Sequence, residues 1–211
     1  MSQIDEKSPQ HCAKKKVINI SKHKKKLIYT FTTFILSILL LILLVWLILH
    51  PAKPEFALKE ADIYQLTLSG ARLLNSSIQI TLVSNNPNQK VGIYYDEIQV
   101  YASYKGQRIT LDSSIPPFYQ EQKDHNLLSM VLVANGLAVD PSFSYEMGRD
   151  QMVGRLVLEV KSNGHLRWKV GTWVSGRYMF IVNCVVVLPF GAAAPAGPLT
   201  SKQGARCLTT V

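Results

Sequence analysis

Residues 27–49 read LIYTFTTFILSILLLILLVWLIL, an apolar stretch of 23 residues with no charge and no proline. As a helix rising 1.5 Å per residue it reaches about 35 Å, enough to cross a hydrocarbon core of roughly 30 Å. Beyond it the periodicity changes to two. In Ser77–Val83 the apolar Ile78, Ile80 and Leu82 alternate with Gln79 and Thr81, as a strand with one buried face requires. Comparable runs lie at Asp62–Ser69, Glu97–Tyr104, Gln107–Asp112, Leu127–Ala134, Gly154–Ser162, Leu166–Val174 and Tyr178–Leu188. Turn signals separate them: Asn85-Asn86-Pro87-Asn88, Lys105-Gly106, Pro116-Pro117, Asn135-Gly136 and Asn163-Gly164.

This pattern predicts a mainly β chain in which one N-terminal transmembrane helix is followed by an antiparallel β-sandwich of the immunoglobulin or fibronectin-III kind. The expected organisation is a basic head (1–26), the span (27–49), a linker (50–60), the sandwich (61–190) and a flexible tail (191–211). Outside the membrane only Asp140–Gly148 has a helical aspect, and of a single turn. Tyr178–Leu188 is too short to cross a bilayer as a helix and contains Asn183, so it reads as a strand buried on both faces. After Pro189 the Gly, Ala and Pro content predicts loose order.

Charge sets the expected orientation. The chain carries a net +9, and two thirds of that excess precedes the span: Lys7, Lys14, Lys15, Lys16, Lys22, Lys24, Lys25 and Lys26 face only Asp5 and Glu6. Lysines beside a span stay on the cytoplasmic side, which makes the protein single-pass with its C-terminal bulk outside or lumenal. The stretch is longer than a cleaved signal's apolar region and no small-residue cleavage pattern follows Trp46, His50 and Pro51, so it reads as an anchor. The lysine cluster, Lys14, Lys15, Lys16, Lys22, Lys24, Lys25 and Lys26 above all, is suited to anionic inner-leaflet lipids, and the basic excess loses its force as a nucleic-acid signal.

Of the three cysteines, Cys12 faces the reducing cytosol, whereas Cys184 and Cys207 are the pair on the oxidising side and a candidate disulfide. Spacing alone does not establish their contact. Asn75-Ser76-Ser77 is a glycosylation sequon on the outer side.

Three stretches carry a family resemblance: NPNQKVGIYYDEIQVYASYKG (Asn86–Gly106), PPFYQEQKDHN (Pro116–Asn126) and RWKVGTWVSGRY (Arg167–Tyr178). Together they resemble the plant family called harpin-induced-like, non-race-specific-disease-resistance-like, or late-embryogenesis-abundant group 2. The matching positions are Asn86, Pro87, Asn88, Gly92, Tyr95, Asp96, Pro117, Phe118, Tyr119, Gln120, Arg167, Trp168, Lys169, Val170, Gly171, Trp173 and Tyr178. The resemblance implies a plasma-membrane protein, or alternatively an endomembrane one, with its sandwich outside the cytosol and a link to defence and stress. No cofactor is expected from the residues. An adhesion tripeptide of the Asn-Gly-Asp or Arg-Gly-Asp type, present in some members, is replaced here by Gly148-Arg149-Asp150.

Read physically, Asn86 and Asn88 form Asx turns while Pro87 ends the preceding strand. Tyr94 and Tyr95 take opposite faces of an extended segment, one ring inward and one near the surface. Trp168 and Trp173 also take opposite faces if the strand runs unbroken through Gly171, whereas a bulge there changes the parity. Arg167 and Lys169 then share the face away from the Trp168 ring. Arg167, Lys169 and Trp173 are the first place to look for contact with an unidentified protein or cell-wall partner. His125 and His165 are isolated, no phosphate-cradling loop or zinc helix occurs, and a Cys184–His dyad conflicts with an apolar strand, so no enzyme is expected. Thr30, Thr32, Thr33 and Ser37 leave self-association through the span open.

Overall fold

The computed structural model describes residues 10–49, 51–70, 72–190, 199–201 and 204–211. They form two compact units, Met1–His50 and Pro51–Val211. The first is helix α1, Gln10–Leu49, which continues back from the span into the lysine-rich segment. Its stretch Lys22–Leu44 is long and apolar enough to cross a membrane. Thr30, Thr32, Thr33 and Ser37 turn their hydroxyls onto carbonyls three or four residues earlier in the same helix, so their donors are satisfied without a partner helix.

The second unit is a sandwich of two antiparallel sheets. Its elements run β1 (Glu55–Ser69), β2 (Leu73–Asn85), β3 (Gly92–Tyr104), β4 (Gln107–Arg108), β5 (Ser113–Ile115), β6 (Phe118–Gln120), β7 (His125–Ala138), α2 (Phe143–Val153), β8 (Arg155–Val170), β9 (Trp173–Val174), β10 (Tyr178–Pro189), β11 (Leu199–Ser201), β12 (Ala205–Arg206) and β13 (Leu208–Thr210). One sheet has the order β11-β1-β2-β7, with β12 also on β1; the other has β13-β10-β8-β3-β4, with β5 and β6 on β3 and β9 on β8. Inward residues of both sheets, among them Ile78, Ile80, Leu82, Ile93, Tyr95, Leu158, Leu166, Phe180 and Val182, make one continuous core. Phe56 stacks on Phe180 across it at 5.8 Å.

The sandwich begins earlier than the expected linker allows. Phe56 and Leu58 are buried, and a bulge between Leu58 and Glu60 resets the parity so that Ala61 and Ile63 point inward next. That reset hides the alternation from a strict period of two. The two expected strands Gly154–Ser162 and Leu166–Val174 are largely one, β8, because Asn163 and Gly164 continue the ladder between β3 and β10. Gly164 is needed there for closeness and not for a turn: a Cβ would stand 2.1 Å from the Glu97 carbonyl oxygen.

Helix α2 spans 11 residues where one turn was expected. Buried Phe143 and Met147 fix it to the sandwich, Phe143 packs edge-on against Tyr104, and Gly154 ends it in a left-handed cap at φ 82°. The tail expected to be flexible is, over its described part, three short strands, paired to β1 and β10 and held by a Cys184–Cys207 disulfide. Pairing and the cross-link offset the weak propensity of that sequence. Strand β10 departs from the reading of two buried faces: Phe180, Val182, Cys184, Val186 and Leu188 point inward, while Met179, Ile181, Val185 and Val187 lie on an exposed outer face.

Candidate functional site

Parts of the three family-like motifs meet at one end of the sandwich, where Asn86, Asn88, Tyr95, Gln120 and Ser175 are buried. Asn86 is fully buried; its Nδ2 donates to the carbonyls of Val91 (2.9 Å) and Glu121 (2.8 Å), and its Oδ1 accepts from the Asn88 backbone N–H (3.1 Å). That last bond is the Asx turn that ends β2. Gln120 does the same for the loop after β6, donating to the Ser84 and Asp124 carbonyls and accepting from Ser84 Oγ and Tyr95 Oη. Burial raises the Tyr95 hydroxyl's pKa, opposed in part by the Ser84 hydrogen bond. Phe118 stacks on the Tyr95 ring at 4.6 Å. These residues close a buried polar network, so their chemistry is spent on the fold.

What the motifs turn outward is aromatic and cationic. Tyr94 and Tyr119 pair across β3 and β6 with ring centroids 4.5 Å apart. Gly92 makes room for this pair, since a Cβ would come 2.2 Å from the Tyr119 hydroxyl. The Lys169 ammonium lies 4.8 Å from the Tyr119 ring centre and donates to the Tyr94 hydroxyl at 3.3 Å. That hydrogen bond is the main reason the Lys169 pKa is raised. Beside it Asp96 is gripped by two arginines, Arg167 Nε at 2.8 Å and Arg177 Nε at 2.9 Å.

Trp168 and Trp173 separate as expected, but by a different route. Trp168 is 7% exposed and Trp173 63%. Gly171, at φ 57°, neither continues nor bulges the strand; it folds β9 back onto β8, pairing Val170 with Trp173. The buried Ser175 hydroxyl fastens this return by accepting from the Trp168 backbone N–H at 2.9 Å. The predicted trio is thus split in accessibility: Arg167 is committed to Asp96, Lys169 is half-covered by tyrosines, and Trp173 is open. Tyr94 and Arg177 were not singled out as contact residues, although both lie inside the quoted motifs.

Of the head lysines, Lys22, Lys24, Lys25 and Lys26 are exposed on α1, while the side chains of Lys14, Lys15 and Lys16 lie outside the described residues. Asn75 is half-buried on β2; its amide donates to Ser69 Oγ at 3.1 Å and its carbonyl accepts from the Gly136 N–H at 2.7 Å. Cys184 is bonded to Cys207, which removes it as a nucleophile. Asp150 is engaged by Tyr104 Oη at 2.7 Å and Lys105 Nζ at 3.1 Å, so the Gly148-Arg149-Asp150 carboxylate is not a free adhesion ligand.

A sandwich stapled by this polar corner belongs to a recognised class: the family model for late embryogenesis abundant protein, LEA_2, matches residues 81–184. The whole chain is 54% identical over 213 residues to NDR1/HIN1-like protein 26 of Arabidopsis thaliana, with 100% of each chain covered. NDR1/HIN1-like protein 12 of the same plant is 43% identical over 151 residues, covering 72% of both chains. NDR1/HIN1-like protein 1, also of Arabidopsis thaliana, is 40% identical over 172 residues, covering 81% of this chain and 82% of the relative. The chain therefore belongs to the NDR1/HIN1-like family of late embryogenesis abundant group 2 proteins, and with it to the plant stress- and defence-related proteins.

Proposed function

We propose that this is a single-pass plasma-membrane protein of the plant defence and stress response whose sandwich acts, outside the cytosol, as a non-catalytic interaction module. The observation that carries the reading is Trp173, a large ring 63% exposed on the pinned β8–β9 hairpin. Surrounding motif residues are satisfied internally, whereas this ring is presented to solvent, as contact residues at interfaces are. Its partner is a protein or a wall component. The lysine-rich head, for its part, is drawn to anionic inner-leaflet lipid.

Proximity labelling from the outer domain, with and without pathogen elicitor, tests this. Trp173→Ala and Lys169→Glu are expected to delete a defined set of elicitor-dependent neighbours. An unchanged, nonspecific neighbour set would favour the alternative, a membrane-tethered protectant against dehydration that needs no specific ligand.

A further inference from the structure

Three of the four sheet edges are finished by short strands: β11 and β12 lie on β1, β13 on β10, and β4, β5 and β6 on β3. The fourth edge is β7, 14 residues long, with no strand paired beyond it among the described residues. Long edge strands are ordinarily guarded by lysines, prolines or bulges. Here β7 and its neighbour β2 contain no Asp, Glu, Lys, Arg or Pro, and their pairing is regular from His125 to Ala134. Leu127, Val131 and Val133 are 59%, 50% and 47% exposed on the outer face.

The backbone shows where this edge is open. The Val133 carbonyl accepts from the Leu111 N–H at 3.0 Å, away from β2. In an antiparallel ladder every second residue turns both of its groups the same way, so His125, Leu127, Ser129 and Val131 also aim theirs at the free edge. The His125 N–H is taken by the Asp124 carboxylate at 2.8 Å. The N–H and C=O groups of Leu127, Ser129 and Val131 have no partner among the described residues. The open stretch is thus bounded by His125 and Val133, each four residues from Ser129.

We infer that this edge pairs with β7 of a second copy of the chain, antiparallel about a two-fold axis at Ser129. That register sets Leu127 opposite Val131 of the second copy and Ser129 opposite its own equivalent, so every open N–H meets an open C=O. At each end the ladder would next join the Val133 carbonyl to the His125 N–H, the two groups already satisfied within each copy. The outer face gains Leu–Val cross-strand pairs, and Leu128 and Met130, only partly buried in one copy, face each other beneath. With both strands uncharged, no like charges oppose the pairing, and the contact is isologous. A ladder of this length buries on the order of 1,000 Å² in total, the size of a weak, concentration-dependent pair. The edge lies in the other sheet from the one that carries Trp173, so the pairing is independent of the contact surface there.

The test uses the full chain carrying Cys12→Ser, in detergent micelles and in plant membranes. Ser129→Cys should form an intermolecular disulfide under mild oxidation, because directly opposed residues of such a pair stand about 5.5 Å apart between Cα atoms, within disulfide reach. Leu127→Cys and Val131→Cys should each couple poorly alone and readily when mixed. Ser129→Lys, which sets like charges opposite each other, should lower the association constant about fivefold in sedimentation. Near-UV circular dichroism confirms that each variant is folded. Ser129→Cys coupling no faster than Tyr145→Cys, a 75% exposed position on α2, overturns the inference. So does Leu127→Cys coupling as well alone as in the mixture, or an association constant unchanged by Ser129→Lys. A Ser129→Cys cross-link to a different protein in plant membranes would also overturn it and assign the edge to a foreign strand.

Discussion

Asn88 closes both backbone groups of Ala52: its Oδ1 accepts from the Ala52 N–H at 2.7 Å and its Nδ2 donates to the Ala52 carbonyl at 2.7 Å. The same Nδ2 also reaches Asn86 Oδ1 at 2.9 Å. One side chain thereby fastens the first residues of the sandwich to the turn that ends β2. Asn88→Ala should lower stability by about 2–3 kcal/mol, because it strands buried partners as well as losing its own bonds. Asn88→Asp should not rescue it, since a carboxylate opposes the Ala52 carbonyl and Asn86 Oδ1. Thermal unfolding of the full chain in detergent measures both.

Two glycines make contrasting predictions. At Gly92 an added methyl meets the Tyr119 side chain, which can swing away, but at Gly164 it meets the Glu97 backbone carbonyl. Gly164→Ala should therefore cost more than Gly92→Ala, the latter falling at about 1–3 kcal/mol. Gly92→Ala should also disturb the Tyr94–Tyr119 pair, visible as altered tyrosine near-UV dichroism. Equal losses would mean that the β3–β8 ladder yields as easily as a ring.

Reduction of Cys184–Cys207, which are 23 residues apart, should destabilise the sandwich by about 3 kcal/mol. Hydrogen exchange should show where. Amides of β11 and β13 should lose protection first, and those in the middle of β8, paired on both sides, last.

The Asp150 pKa is lowered from the ordinary 3.8, first by the Tyr104 hydroxyl and then by Lys105, against a desolvation cost. A depressed folded-state pKa means that its stabilisation is fully present above 3.8 and is lost as pH falls through the lowered value. Urea midpoints of wild type and Asp150→Asn should thus differ at neutral pH and converge on the acid side. A difference that persists in acid would show that Asp150 acts by shape alone.

Much of this architecture is legible in the chain. Parity in Tyr94-Tyr95 placed one ring inside and one near the surface, and the Pro87 turn ended its strand where expected. What escaped the reading depends on distant partners. Asn163-Gly164 is a local turn signal overridden by two flanking strands, and α2 gains its helix by docking Phe143 and Met147 onto the core. Residues 199–201 and 204–210 have little intrinsic strand character; β1, β10 and Cys184 supply their order. At the contact surface the residue types were visible, but the commitment of Arg167 to Asp96 arises only once β8 lies beside β3.

Orientation across the membrane carries the functional account, and epitope tags at the two termini measure it most directly. In intact protoplasts an impermeant antibody should label the C-terminal tag at once and the N-terminal tag only after permeabilisation. A C-terminal tag that stays silent until the membrane is opened, or an N-terminal tag exposed from the start, would contradict an outward-facing sandwich.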